Sequence, residues 1–179
     1  TSDAMPQVGQ YYSETEYDLT LLKTSGRTLL DLGRSCLHAD YRGGMAMAML
    51  WNGLAQYVQD HGVEVLFGTA SFQGTNVAAL AQPLSYLHHH HLAPSDLRVC
   101  VKGDPPQTMD LLPKDQIDRK TAMLNTPALI KGYLRLGGVV GQGAYVDHVF
   151  NTTDICLIID TAQMNTRHRN FYDKRDSPK

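Results

Sequence analysis

One stretch constrains the fold of this chain more than any other. From Leu29 to Phe72 it reads LLDLGRSCLH, then ADYRGGMAMAMLWNGLAQYVQDHG, then VEVLFGTASF. An apolar strand, a glycine-containing turn, an amphipathic helix and a second apolar strand follow one another. That length and punctuation suit two parallel strands joined by a crossover helix. The turn into the helix carries Arg42, Gly43 and Gly44. A helix start exposes unpaired N–H groups and the positive end of the dipole, so an anion can rest there. The same glycines also serve a tight strand-to-helix turn with no ligand at all.

At 179 residues the chain reads as a single domain, 1–179, long enough to bury a sizeable core. Its formal charge of −2 carries no bulk signal for nucleic acid or for a membrane surface. No apolar run approaches the length of a membrane span, and Thr1 to Gln10 has neither a basic n-region nor an apolar core. Cys36, Cys100 and Cys156 are odd in number and sit in apolar, strand-like contexts. Buried free thiols in a reducing cytoplasm are expected, not a disulfide framework.

Along the chain, Tyr11 to Leu22 mixes aromatics with acids and suits a short helix or a packed loop. A strand is expected over Thr28 to Leu37, with a bulge or splay at Gly33. A helix from about Gly44 to Asp60 places Ala46, Leu50, Gly53, Leu54, Tyr57 and Val58 on one stripe, and Gly62 stops it. Val63 to Phe67 reads as a central strand. Val77 to Leu87 has helical spacing that Pro83 kinks or breaks. A strand around Leu97 to Val101 leads into a long polar loop, the kind often used as a binding loop or lid. Thr126-Pro127 opens another helix, Gly137-Gly138 ends it, and two strands flank Asn151. The sum is an α/β fold: a mixed sheet flanked by helices, with a parallel centre and antiparallel C-terminal strands.

Few side chains point to chemistry. A bulge at Gly33 would bring Asp31 and Arg34 to one face as a carboxylate–guanidinium pair, either catalytic or a plain ion pair at the sheet margin. His148 beside Asp147 offers a base, against the commoner fate of a solvent-facing or satisfied imidazole. Consecutive histidines, His88 to His91, do not converge on one ion, and no carboxylate or cysteine lies nearby at ligand spacing, so no metal is expected. Ser71 lies in TASFQG, without the nucleophile-elbow pattern of a serine hydrolase. Met45, Met47 and Met49 read as helix packing.

Six separated segments, LLDLGRSCLHADYR, MLWNGL, FGTASFQG, LHHHHLAP, PALIKGYLRLGG and YVDHVFNTTDICLIID, together carry a resemblance. From about Tyr11 to Phe171 the chain resembles the ornithine–acyl-carrier-protein N-acyltransferases. These are bacterial GNAT-fold enzymes, also labelled hemolysin-like and related to the acyl-homoserine lactone autoinducer synthases. The resemblance implies transfer of a 3-hydroxyacyl group from the phosphopantetheine thioester of acyl carrier protein to the α-amine of ornithine, giving lyso-ornithine lipid. It implies no metal, no nucleic acid, and a cytoplasmic enzyme working at the inner face of the membrane, where the basic residues Arg167, Arg169, Lys174 and Arg175 could meet anionic lipid or the acidic carrier. It places the catalytic groups at Asp31, Arg34 and Asp147, with Asp31 where the family usually carries Glu. It implies a donor arm along the strand from Leu29 to Leu37 and a phosphate on the turn from Tyr41 to Met47, with Tyr41, Arg42, Gly43, Gly44 and Met45 as its binding residues; the backbone N–H groups near Cys36 and Leu37, where the strands part, are the expected oxyanion donors. It also implies an upstream region before Tyr11, supplying a first strand and helices, that this chain is expected to lack, so that it is expected to turn over poorly alone. The rival readings are another amino acid acceptor, a coenzyme A donor, or an idle GNAT-like domain that binds carrier or lipid.

Overall fold

The computed structural model describes residues 1, 2, 5, 9–33, 38–41 and 45–164. In chain order the elements are β1 (Tyr17–Asp18), α1 (Thr20–Lys23), β2 (Leu29–Asp31), α2 (Ala46–Asp60), β3 (Val65–Gln73), α3 (Ala81–His91), β4 (Cys100–Val101), α4 (Arg119–Asn125), α5 (Ala128–Arg135), β5 (Val139–Val140), β6 (Tyr145–Asp147) and β7 (Thr152–Asp160). The main sheet runs β2-β3-β7, with β5 and β6 both paired to β7. β2 and β3 are parallel, as the opening stretch requires, and every other pairing in this sheet is antiparallel. β1 and β4 form a small separate ladder.

Glycine sets two helix ends by the same device. At Gly62 (φ 56°) the chain turns left-handed, Val63 N–H donates to Val58 O at 2.9 Å and Gly62 N–H to Gln59 O at 3.2 Å. At Gly137 (φ 96°), Gly138 N–H donates to Tyr133 O at 3.0 Å and Gly137 N–H to Leu134 O at 3.1 Å. Both satisfy carbonyls that a helix end leaves open.

The sheet has two unlike faces. Leu30, Leu32, Leu66, Ala70, Phe72, Ile155, Leu157 and Ile159 pack under the helices, against Trp51, Leu54 and Val58 of α2, Leu84 and Leu87 of α3 and Ile130 of α5. On the opposite face Leu29, Val65, Phe67, Cys156 and Ile158 pack under Tyr11, Tyr17, Leu19 and Leu22 and under Leu97 and Val99. Tyr17 donates its hydroxyl to the carbonyls of Gly143 (2.9 Å) and Asp154 (3.0 Å), so a buried phenol holds the N-terminal segment over β7. At one end of the sheet Arg27 grips Asp160 with both terminal nitrogens (2.8 and 3.1 Å) and reaches Glu64 O at 3.1 Å. That fork fastens the starts of β2 and β3 to the end of β7.

Several expectations need correction. Among the described residues the strand expected over Thr28 to Leu37 ends at Asp31, and its part from Arg34 to Leu37 lies outside them. The inward stripe of α2 is Trp51, Leu54 and Val58, while Leu50 and Tyr57 are exposed; the Trp51 ring against Tyr133 (centroids 4.8 Å apart) decides which face turns inward. Pro83 neither kinks nor breaks α3, because it lies in the first turn, where helical N–H groups have no partner anyway. The strand expected near Leu97 is only Cys100–Val101, and Cys100 is exposed where Cys156 is buried. α4 follows the expected loop, in a stretch for which no element was expected, and is capped by Asp118, which accepts from the N–H groups of Lys120 and Thr121. Thr126 turns its hydroxyl back to Ala122 O (2.8 Å) and does not open α5. The loop before α4 is packed: Met109 is fully buried, and Ser85 Oγ donates to its carbonyl and accepts from the N–H groups of Leu111 and Leu112.

Candidate active site

A cleft of about 480 Å³ opens where β2 stops. Leu32 N–H still donates to Phe67 O at 2.7 Å, and the Leu32 carbonyl sits so close to Gly68 that a Cβ there would lie 2.4 Å from it. Only glycine tolerates that approach. Beyond it, no strand among the described residues pairs with the β2-side edge of β3. Val65 N–H donates to Thr28 O, and Phe67 O accepts from Leu32, so the odd-numbered residues of β3 turn their backbone toward β2. The N–H groups of Thr69 and Ser71 therefore point along the open edge.

The cleft wraps around that edge and takes a different chemistry from each sheet face. Leu32, Leu66, Leu157 and Ile159, with Leu129 and Tyr133 from α5, make an apolar wall. Glu16, Asp147 and Asp154 line the other side, with Ser71, Thr152 and Tyr12. Strand alternation explains the division: Asp154 pairs with Ser71 and lies two residues from Cys156, on the face opposite Leu157. Glu16 arrives from the turn before β1 and is only 6% exposed; Asp154 is 5% exposed. Glu16 Oε2 and Asp154 Oδ1 have no hydrogen-bond partner among the described residues. Burial, with the charges of Asp154, Asp147 and Asp31 behind it, pushes Glu16 up to about 7. Burial also raises Asp154, against the pull of the Ser71 and Thr152 hydroxyls and with a further push from Asp147.

Of the residues singled out by sequence, Asp31 and Asp147 are brought to this region and do different things. Asp31 does not line the cleft. Its Oδ2 accepts from Ser13 N–H and its Oδ1 from Ser13 Oγ, both at 2.9 Å, which ties the Tyr12–Thr15 turn to β2 and so sets the residue that follows it, Glu16. Burial raises Asp31 and the two Ser13 bonds oppose it. Asp147 Oδ1 accepts from the N–H groups of Val149 (2.7 Å) and Phe150 (2.9 Å), capping the β6–β7 hairpin at the cleft mouth. Tyr41 and Met45 are exposed, and among the described residues no side chain caps the start of α2. Arg34, Cys36, Leu37, Arg42, Gly43 and Gly44 lie outside the described residues.

Sequence reasoning missed Glu16 and Asp154. A carboxylate inside the apolar run of β7 was a readable signal for Asp154; nothing local marked Glu16, whose burial is purely tertiary. It also missed a carboxylate near the histidines. Asp110 lies 3.0 Å from His89 Nε2 and 3.9 Å from His88 Nε2, and the three side chains offer ligand atoms within 4.8 Å of one another.

Comparison with known proteins follows the same line. Residues 1–52 match the family described as an acetyltransferase (GNAT) domain. The chain is 58% identical over 174 residues to an L-ornithine N(alpha)-acyltransferase of Rhodobacter capsulatus, covering 97% of this chain and 66% of that protein. It is 42% identical to the protein of that name from Brucella abortus (90% of this chain, 58% of the relative) and 36% identical to that from Rhizobium meliloti (95% and 58%). The chain thus spans just under two thirds of the first relative's length and somewhat over half of the others'. No solved structure matches. A parallel β2–β3 pair inside a mixed sheet, a GNAT match over the N-terminal residues and relatives aligned along nearly the whole chain agree, and the chain belongs to the GNAT-type acyltransferase family that includes the L-ornithine N(alpha)-acyltransferases.

Proposed function

We propose that the cleft at the end of β2 is the transfer centre of an N-acyltransferase that moves a 3-hydroxyacyl group from the thioester of acyl carrier protein to the α-amine of ornithine. One observation carries the reading: a single cleft has an apolar wall for an acyl chain, carboxylates for a cationic amine, and between them a strand edge that no strand among the described residues pairs with. Thiol-ester aminolysis needs those three things and no more.

In this reading the acceptor binds as its ammonium form on the acid side. Glu16, ionised in about half the molecules near pH 7, takes one proton from the α-nitrogen. The free amine attacks the thioester carbonyl, and a C–N bond forms. The carbonyl oxygen gains charge and is held by the N–H groups of Thr69 and Ser71. The C–S bond then breaks; the pantetheine sulfur leaves with the electron pair and takes one of the two protons still on nitrogen, and the other stays as the amide N–H. Asp31 acts through Ser13 as a positioning residue for Glu16. Arg34 and the turn at Arg42 to Gly44 are proposed to hold the donor, whose single phosphate would meet the amides at the start of α2.

The product is amphipathic, and the cleft mouth carries an apolar tip: Val149 is 89% and Phe150 69% exposed on the Asp147-capped hairpin. That tip supports work at the inner membrane face, and no helix of the described chain is long and apolar enough to cross a membrane. The test is direct. Purified protein is given hydroxyacyl–carrier or hydroxyacyl–coenzyme A thioester with ornithine, glycine or other amino acids, and products are read by mass. Carrier thioester with ornithine should give the N-acyl product. A coenzyme A preference would replace the donor assignment, and no product from any pair would end the transferase reading.

A further inference from the structure

The transfer chemistry above uses Glu16 and leaves Asp154 without a task. A carboxylate 5% exposed, with one oxygen lacking any donor among the described residues, is poorly placed unless a cation comes to it. The described charges that bear on it do not help: Asp147 acts on Asp154, and Asp154, Asp147 and Asp31 act on Glu16, all of them acidic. Asp147 pairs with Thr152 across the β6–β7 ladder, two residues from Asp154 and on the same face. Diagonal neighbours of that kind lie about 7 Å apart, a spacing that lets two carboxylates flank one ammonium.

We propose that Asp154 and Asp147 form a subsite for the side-chain ammonium of the acceptor, so that the cleft selects a diamino acid over a neutral amino acid of the same chain length. The inference rests on the transfer reading for the identity of the ligand as an amino acid, and on the orphaned carboxylate for its charge. The subsite sits on the acid side of the cleft. The α-amine lies toward Glu16 and the strand edge, and the side-chain cation toward the β6–β7 hairpin. Selection then comes from the unpaired acid itself: a neutral side chain would leave Asp154 desolvated and alone.

The test compares ornithine with norvaline, which has the same carbon chain and no side-chain amine, by calorimetric titration of the protein and by competition for acylation. Ornithine should bind about thirty-fold more tightly than norvaline, the range for a hydrogen bond to a charged group. In Asp154→Asn the ratio should collapse toward one. Asp154→Ser, which keeps a polar partner for Ser71 and Thr152, serves if the Asn variant does not melt cooperatively. Equal binding of the two amino acids by the wild-type chain would overturn the subsite and would mean that a cation of the chain itself covers Asp154. A folded Asp154 variant that keeps the preference would overturn it as well. Binding discrimination of the expected kind without acyl transfer from any donor would leave the subsite standing and remove the transferase reading, whereas transfer without discrimination would do the reverse.

Discussion

The two faces of the main sheet are built from the same strands and do opposite work. Under the helices the alternation is apolar except at Thr153, and Leu66, Leu157 and Ile159 meet Trp51, Leu54 and Tyr133 without a charge among them. Across the sheet the alternate positions of β2, β6 and β7 carry Asp31, Asp147 and Asp154, and Glu16 is lowered onto them by the N-terminal turn. One face is optimised for burial. The other holds carboxylates that burial disfavours, and such groups are tolerated where they serve a site. The contrast teaches where stability and activity should part company.

The sharpest break is at Glu16. Glu16→Gln should lower kcat/KM by about a hundred- to ten-thousand-fold, the range for losing a general base. The wild-type rate should rise as pH passes through about 7 and the variant should lose that limb. The same change should stabilise the fold. A carboxyl raised in the native state binds protons that the unfolded chain has already lost, so its burden is absent below the unfolded value near 4.5 and grows as pH rises to about 7. Relief at pH 8 should reach up to about 3 kcal/mol, read from denaturant melts of both proteins. A variant that is inactive and less stable would erase the distinction between the faces.

At the seam between the faces, Gly68→Ala should cost about 3 kcal/mol, because the added methyl meets the Leu32 carbonyl, which is backbone and cannot swing aside. Activity should fall with it as β2 is pushed off β3, whereas wild-type stability in this variant would mean that the two strands part before Leu32. Tyr17→Phe removes the donor shared by the Gly143 and Asp154 carbonyls in a fully buried place. It should cost about 2 kcal/mol in thermal or denaturant melts. Ser13→Ala removes one of two bonds to Asp31 and should cost about 1 kcal/mol. Its more telling readout is the rate limb near pH 7, which should move if Asp31 positions Glu16 and stay put if Asp31 is only a tie.

How much of this was legible depends on the length over which a pattern runs. The β2–α2–β3 unit stood out because a fifteen-residue helix and a nine-residue strand each run for several periods, although β2 itself is only three residues long. The rotation of the α2 stripe from Leu50 to Trp51 was not legible, since it depends on Tyr133, eighty residues downstream, meeting the indole. α4 was hidden in seven residues among prolines and acids, with Asp118 its one local sign. The site divided in the same way. Asp31 could be named from the sequence, yet its partner could not, because Ser13 reaches it through tertiary structure, whereas the amides that Asp147 holds lie two and three residues on and form a local turn. Glu16 lies in YYSETEYD, where every acid looks solvated until Tyr11 and Tyr17 are buried on either side of it.

The Arg27 fork gives the sheet a fixed end and a loose one. With β3 laddered to β7 along its whole length and β2 fastened to both at Asp160 and Glu64, any widening at the Gly68 end is rotation of β2 alone about a pivot, much as the jaws of pliers move about their pin. A bulkier guest near Thr69 would be felt as torque at Arg27, whose partner Glu64 lies five residues back along the chain. Loosening that rivet would broaden the range of guests admitted without touching a single residue that meets them.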